Sequence, residues 1–201
     1  MAAVLPQTIM SNQRGILSGA IGGGNISNSN FTSITVSGVS IGTSPSPYRT
    51  VVVTAQHNGT FVGLKINGVS IPSSQRINTS TQAIGWEVVT TGTTCSIGID
   101  TNSGGNFRYV YGYTLLNGFR TLYDYKSGSS VTLGLPGDQS FIVGVGGGTT
   151  TNPTWTNLTT RNSVLSSISS IYSESGSDFV ETGTTRDISI SSGDFLVASF
   201  K

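Results

Sequence analysis

From Phe31 onward, apolar residues recur at every second position over short stretches. This is the pattern of strands with one face in a core and one toward solvent. Ile34 and Val36, then Val39 and Ile41, flank a Ser-Gly step, and Pro45 and Pro47 punctuate a loop. The segment from Tyr48 to Gln56 holds Val51-Val52-Val53, which reads as a strand buried on both faces. Asn58-Gly59 and Asn67-Gly68 predict hairpin turns, because both residue types tolerate positive φ. Between and after them come 61–66 and Val69 with Ile71, closed by Pro72. Ile84, Trp86 and Val88 alternate up to Thr91-Gly92, and Cys95, Ile97 and Ile99 follow. Phe107, Tyr109, Tyr111, Tyr113 and Leu115 share one face of a longer strand. Val131, Leu133 and Leu135 lead to a predicted turn at Pro136-Gly137-Asp138, then Phe141, Val143 and Val145. Gly146-Gly147-Gly148 reads as the opening of a loop to Trp155. The segment 168–172, Phe179-Val180, Ile188 with Ile190, and 195–200 complete about twelve short strands at roughly ten-residue spacing, the signature of an antiparallel β-sandwich or jelly roll. No ten-residue stretch keeps a helical period. The fold class is therefore all-β.

Residues 1–30 break the pattern. Gly22, Gly23 and Gly24 in a row cost too much backbone entropy for a strand or helix interior, so 20–30 is expected to be irregular. Yet Val4, Leu5, Ile9, Met10, Ile16 and Leu17 are apolar, which a mobile tail would not need. The expectation is an N-terminal arm over 1–30 that lies against its own domain or a neighbouring subunit as an assembly contact. The sandwich domain then occupies 31–201.

Composition changes this picture in one respect. Charged residues are only 9% of the chain, against roughly a quarter in an ordinary soluble domain. The polar surface comes instead from 31 Ser, 27 Thr and many Asn, and Ser, Thr and 27 Gly together exceed two fifths of the 201 residues. Such bias often marks disorder, but the recurring Val, Ile, Tyr and Phe alternation argues against it. The net charge is +1 and the ten basic residues are scattered singly, so the electrostatic footprint of a nucleic-acid binder is missing. No run of 18 apolar residues predicts a membrane helix, and the start MAAVLPQTIMSNQR does not read as a secretory signal. The single cysteine, Cys95, excludes an intramolecular disulfide and falls in an alternating run as a small core residue. Asn25, Asn30, Asn58, Asn78 and Asn157 begin Asn-x-Ser/Thr triplets, which this composition produces by chance and which are read as unglycosylated.

Candidate chemistry is sparse. The one histidine, His57, precedes Asn58-Gly59 and reads as a polar turn residue, with no Gly-x-Ser-x-Gly near any serine. One His and one Cys are too few for a catalytic zinc site. Glycosidase chemistry needs two carboxylates at about 5–10 Å. Nine acidic residues make a pair possible, but Asp100, Asp138, Asp178 and Asp194 stand beside Gly, Ser or Thr at apparent strand ends, where Asp makes turns. Gly144-Val-Gly-Gly-Gly-Thr-Thr lacks the Gly-Lys-Ser/Thr ending of a phosphate loop. Calcium held by loop oxygens stays open. No catalytic, cofactor-binding or metal-ligating residue is assigned.

The aromatic residues hold more promise. The row Phe107, Tyr109, Tyr111, Tyr113 is either core, with hydroxyls reaching the sheet edge, or a platform for sugars. The core reading is the plainer one, and the opposite face, with Arg108, Val110, Gly112 and Thr114, looks like an exterior. Tyr123, Asp124 and Tyr125 follow in what reads as an exposed loop with Arg120 and Lys126, the better contact candidate. Trp155 is either a core plug or a surface anchor.

Six segments occur in order: Arg49-Thr-Val-Val-Val-Thr-Ala, Ile66-Asn-Gly-Val-Ser, Gly85-Trp-Glu-Val-Val-Thr-Thr-Gly-Thr, Tyr109-Val-Tyr-Gly-Tyr-Thr-Leu-Leu-Asn-Gly, Trp155-Thr-Asn-Leu and Phe195-Leu-Val-Ala-Ser-Phe. The series, over about residues 48–201, resembles a β-sandwich module of structural proteins of tailed bacteriophages. The resemblance implies a virion component, such as a capsid decoration, fibre or tail protein, made in the host cytoplasm. It implies protein partners in the particle, homo-oligomerisation and host-surface glycans as a further contact, and it carries over no catalytic residue. A lectin-like carbohydrate-binding module is the alternative, and a glycan-cleaving enzyme the weaker one.

Overall fold

The computed structural model describes residues 17–26, 33–40, 49–57, 61–101, 107–118, 120–148, 153–165 and 172–201. Their elements are β1 (Leu17–Ile26), β2 (Ser33–Ser40), β3 (Arg49–His57), β4 (Phe61–Ile66), β5 (Val69–Ser70), a 3-10 turn (Ser73–Gln75), β6 (Arg76–Asn78), β7 (Gln82–Val89), β8 (Thr94–Thr101), β9 (Phe107–Asn117), β10 (Leu122–Gly128), β11 (Ser130–Gly148), β12 (Trp155–Thr156), β13 (Thr160–Leu165), β14 (Tyr172–Ile190) and β15 (Asp194–Phe200). Among the described residues there is no α-helix, and so no helix long and apolar enough to cross a membrane.

The strands form three antiparallel sheets. A middle sheet runs β1-β9-β3-β7-β6, an outer sheet β2-β8-β4-β5, and a third sheet β10-β15-β11-β14-β12, with β13 also on β14. The middle sheet carries a core on each face. Val51, Val53 and Ala55 of β3 meet Leu64, Ile66, Ile97 and Ile99 of the outer sheet. Val52, one position out of phase, joins Ile84, Trp86 and Leu116 against Phe141, Val143, Leu196 and Phe200 of the third sheet. This is why β3 contains an unbroken apolar run: both faces are buried, and each large side chain removed from water contributes about 1.5–3 kcal/mol. Cys95 is buried in the first of these cores, where burial pushes its thiol pKa up to about 11.

A third core lies on the far face of the third sheet. β11 and β14, 19 residues each, pair along their length as one ribbon with a register break between Gly134 and Gly137. Gly137 and Gly183 face each other across that break with φ of 104° and 134°, a region that glycine adopts far more readily than other residues. Leu133, Leu135, Ile188 and Ile190, on one side of the bend, cluster with Ile142 on its other side and with Phe195 and Val197 of β15. The ribbon therefore folds back across its own sheet.

Several local expectations are corrected. Pro136-Gly137-Asp138 is a bend inside one strand and not a link between two. The strands before and after 58–60 lie in different sheets, and Asn58-Gly59 themselves lie outside the described residues. Asn67-Gly68 does join one, with φ of 52° and 77° and Ile66 opposite Val69. Gly22–Gly24 lie in a strand: β1 runs through them, antiparallel to β9, with a register break between Ala20 and Gly22, and 27–30 lie outside the described residues. The register sets Gly24, Gly22 and Gly19 opposite Tyr109, Tyr111 and Tyr113. Ladder hydrogen bonds to a strand rich in large residues offset the glycine entropy that the sequence counts against a strand. Of the apolar arm residues, Leu17 opens β1, while Val4, Leu5, Ile9, Met10 and Ile16 lie outside the described residues.

Candidate contact surface

The segment Tyr123-Asp124-Tyr125 is not a loop. It lies in β10, which ends the third sheet and pairs, among the described residues, with β15 alone. Its sequence reads as a loop because a bulge between Leu122 and Asp124 shifts the alternation by one residue. Leu122, opposite Phe200, packs on the second core. The bulge then leaves Tyr123 and Tyr125 as exposed aromatics, 48% and 50% accessible.

Asp124 turns the other way and fixes the strand. Its Oδ2 accepts the Gly134 backbone N–H at 2.8 Å, and its Oδ1 lies 3.2 Å from the Lys126 ammonium. A Cβ at position 134 would sit 2.9 Å from that Oδ2, so glycine there permits the approach. Partial burial works against ionisation of Asp124, but the Gly134 N–H, the Lys126 ammonium and the Tyr125 N–H together outweigh it and hold its carboxyl below the usual range. Ser199 Oγ donates to the Gly134 carbonyl at 2.8 Å. Thr121 and Lys201 exchange backbone hydrogen bonds of 3.1 and 3.0 Å, and the Lys201 ammonium lies 5.9 Å from the Tyr123 ring centroid. At the entry to β10, Thr50 Oγ1 donates to the Gly118 carbonyl and accepts the Arg120 N–H, both at 2.9 Å, and the Arg120 guanidinium sits 4.4 Å over the Phe141 ring. Burial lowers the pKa of Arg120. The two tyrosines thus stand on a strand tied at its entry and at Asp124.

Trp155 resolves into the core plug. It packs edge-on against Phe195, with centroids 5.2 Å apart at 64°, over the third core. Gly144 and Gly146 are strand residues of β11, not a loop, and they form its floor: a Cβ at 144 would meet Trp155 Cη2 at 3.1 Å and Leu158 Cδ2 at 2.9 Å. At 146 a Cβ would meet Ile190 Cδ1 at 2.6 Å and Phe195 Cβ at 2.9 Å. The indole Nε1 is buried without a hydrogen-bond partner.

The aromatic row belongs to β9, an interior strand of the middle sheet between β1 and β3. Tyr113 is half-buried and packs on the first core; the side chains of Phe107, Tyr109 and Tyr111 lie outside the described ones. An exterior second face does not hold at Leu116, which is in phase with Arg108 and Val110 and fully buried.

The polar candidates serve the frame. His57 is a buried end of β3, whose N–H donates to the Thr81 carbonyl at 2.7 Å, and is no exposed turn residue. Asp100 pairs with Lys65 at 2.8 Å, and Asp187 accepts Thr132 Oγ1 at 2.6 Å. Asp138 and Asp178 lie inside the ribbon strands and Asp194 alone of the four opens a strand; Asp100 lies one residue before the end of β8. Glu87 is half-buried with Oε2 unpartnered, and burial raises its pKa. Among the described residues no three of His, Cys, Asp and Glu come together as metal ligands. No known protein family, curated protein or solved structure matches the chain. Sequence reading missed Gly134, Ser199 and Lys201 as parts of this surface, because sheet order alone brings them beside β10.

Proposed function

We propose that the chain is a non-enzymatic structural protein of a tailed-bacteriophage particle, a capsid decoration, fibre or tail component that works by making contacts. The observation that carries the contact reading is the pair Tyr123 and Tyr125, held half-exposed on an edge strand whose Asp124 is locked to Gly134. Tyrosine supplies large contact area at small entropy cost, and a rigid strand adds no ordering penalty. The placement in a particle draws on the resemblance of the segments in 48–201 to phage virion modules. The apolar residues Val4, Leu5, Ile9, Met10 and Ile16 supply a second, assembly contact, in which copies of the chain or other virion proteins are the partners.

The test is sedimentation with purified particles. The intact chain should co-sediment and deletion of residues 1–16 should abolish incorporation while leaving the melting temperature of the remainder nearly unchanged. A chain that never enters particles, or hydrolyses a polysaccharide, sinks the proposal.

A further inference from the structure

We infer that the exposed edge of β10 is a binding site for an acidic polysaccharide; this rests on reading Tyr123 and Tyr125 as a contact surface and names what they contact. Three observations lead there. First, the edge is guarded against strand addition. A bulge at Leu122/Asp124 breaks its register and Lys126 stands on it, both devices that stop another strand from pairing. A ligand at this edge therefore meets side chains rather than backbone.

Second, the side chains suit a sugar. Two half-exposed phenols stand two residues apart, on either side of Asp124. Each offers a flat apolar face and a hydroxyl, matching a ring that has C–H groups on its faces and hydroxyls on its rim. Thr121 and Ser127 add exposed hydroxyls at either end.

Third, the charge is one-sided. The ammonium of Lys201 lies 5.9 Å from the Tyr123 ring centroid, while Lys126, its side chain 47% exposed, is turned to Asp124. The only carboxylate of the strand, Asp124, is engaged by the Gly134 N–H and by Lys126. A uronate carboxylate or a phosphodiester on the Tyr123 ring meets the Lys201 ammonium, and a neutral glycan does not. Exposed pairs of this kind are screened by salt, so part of the affinity should fall as ionic strength rises.

The experiment titrates the intact chain with oligogalacturonate, hyaluronan oligomers and a phosphodiester-linked teichoic acid, with dextran and polyacrylate as controls. At least one acidic glycan should bind, and dextran should bind at least roughly tenfold more weakly. Tyr123→Ala and Tyr125→Ala should each weaken binding roughly five- to thirtyfold, and Tyr123→Phe and Tyr125→Phe less than about threefold. Lys201→Ala should flatten the salt dependence. If polyacrylate binds as tightly as the best glycan and the alanine variants bind normally, only bulk charge is at work and the inference is overturned. If no acidic glycan binds while particle capture still depends on both tyrosines, the partner is a protein: this inference fails and the contact function stands. Glycan binding by a chain that never joins particles upholds the site and removes the virion role.

Discussion

Between the outer and middle sheets side chain meets side chain: Leu64, Ile66, Ile97 and Ile99 lie against Val51 and Val53. Under the folded ribbon, large residues meet glycine, as Trp155, Leu158 and Ile190 crowd over Gly144 and Gly146. Both regions exclude water, but by different complementarity. In the first, the partners each bring a side chain, and alternation along each strand reveals them. In the second, one partner contributes only backbone, and its strand looks like a loop when read as sequence. Gly85 shows the same device once in the first region, beneath Leu64 and Ile71.

The largest effect should come from removing the centre of the glycine-floored core. Phe195 is fully buried and supports Trp155 edge-on, so Phe195→Ala should cost about 3–5 kcal/mol in urea denaturation and alter tryptophan fluorescence. Gly146→Ala follows, at about 1–3 kcal/mol, because the added methyl overlaps Ile190 and Phe195 in a packed interior. Gly63→Ala is its control: there the nearest atom is Arg76 Nη1 at 3.2 Å, the end of a flexible side chain, and the cost should stay below about 1 kcal/mol. Equal losses at 146 and 63 would erase the distinction between the two regions.

Two carboxyls sharpen it electrostatically. Asp124 has a depressed pKa when folded, so its stabilisation is present above the ordinary carboxylate range and is lost as pH falls through the folded value. Asp124→Asn should lower stability by about 1 kcal/mol at pH 7 and by much less at pH 2, measured by urea titration. Glu87, opposite Val51 in the middle sheet, has a raised pKa when folded. Its sign is opposite: the favourable contribution exists below the unfolded value and disappears as pH rises through the folded one. Glu87→Gln should therefore raise the melting temperature at pH 7 relative to the wild type and leave it unchanged at pH 3. A gain at pH 3 as well would mean that ionisation is not the cause.

How much of this was legible in the sequence follows from the same contrast. The period-two runs of Val51–Val53, Ile84 with Trp86, and Cys95 with Ile97 and Ile99 state plainly that they are strands, and Val51-Val52-Val53 states that one strand has two buried faces. A run of apolar residues does not state which sheet receives it, so the three-layer stacking and the crossing between β3 and β4 were beyond it. Strand length was misread where glycine and proline interrupt the alternation. Gly137 reads as a turn because its positive φ does end most strands, but Gly183 opposite lets the partner strand bend at the same rung and keeps the ribbon paired. At the contact surface Tyr123 and Tyr125 were visible as exposed aromatics, whereas the bulge beneath them was not. Their fixation by Asp124 depends on Gly134, ten positions away in sequence and reached only through the sheet.

The central claim is that Tyr123 and Tyr125 act outward and do not hold the fold. It is tested most directly by the double variant Tyr123→Ala/Tyr125→Ala, measured side by side for unfolding free energy and for adsorption to particles and host-cell surfaces. Exposed substitutions each stay within about 0.5 kcal/mol of neutral, so unfolding should move by less than about 1 kcal/mol, while adsorption falls at least roughly tenfold. Unchanged adsorption, or a loss of stability that accounts for the drop, would contradict the account.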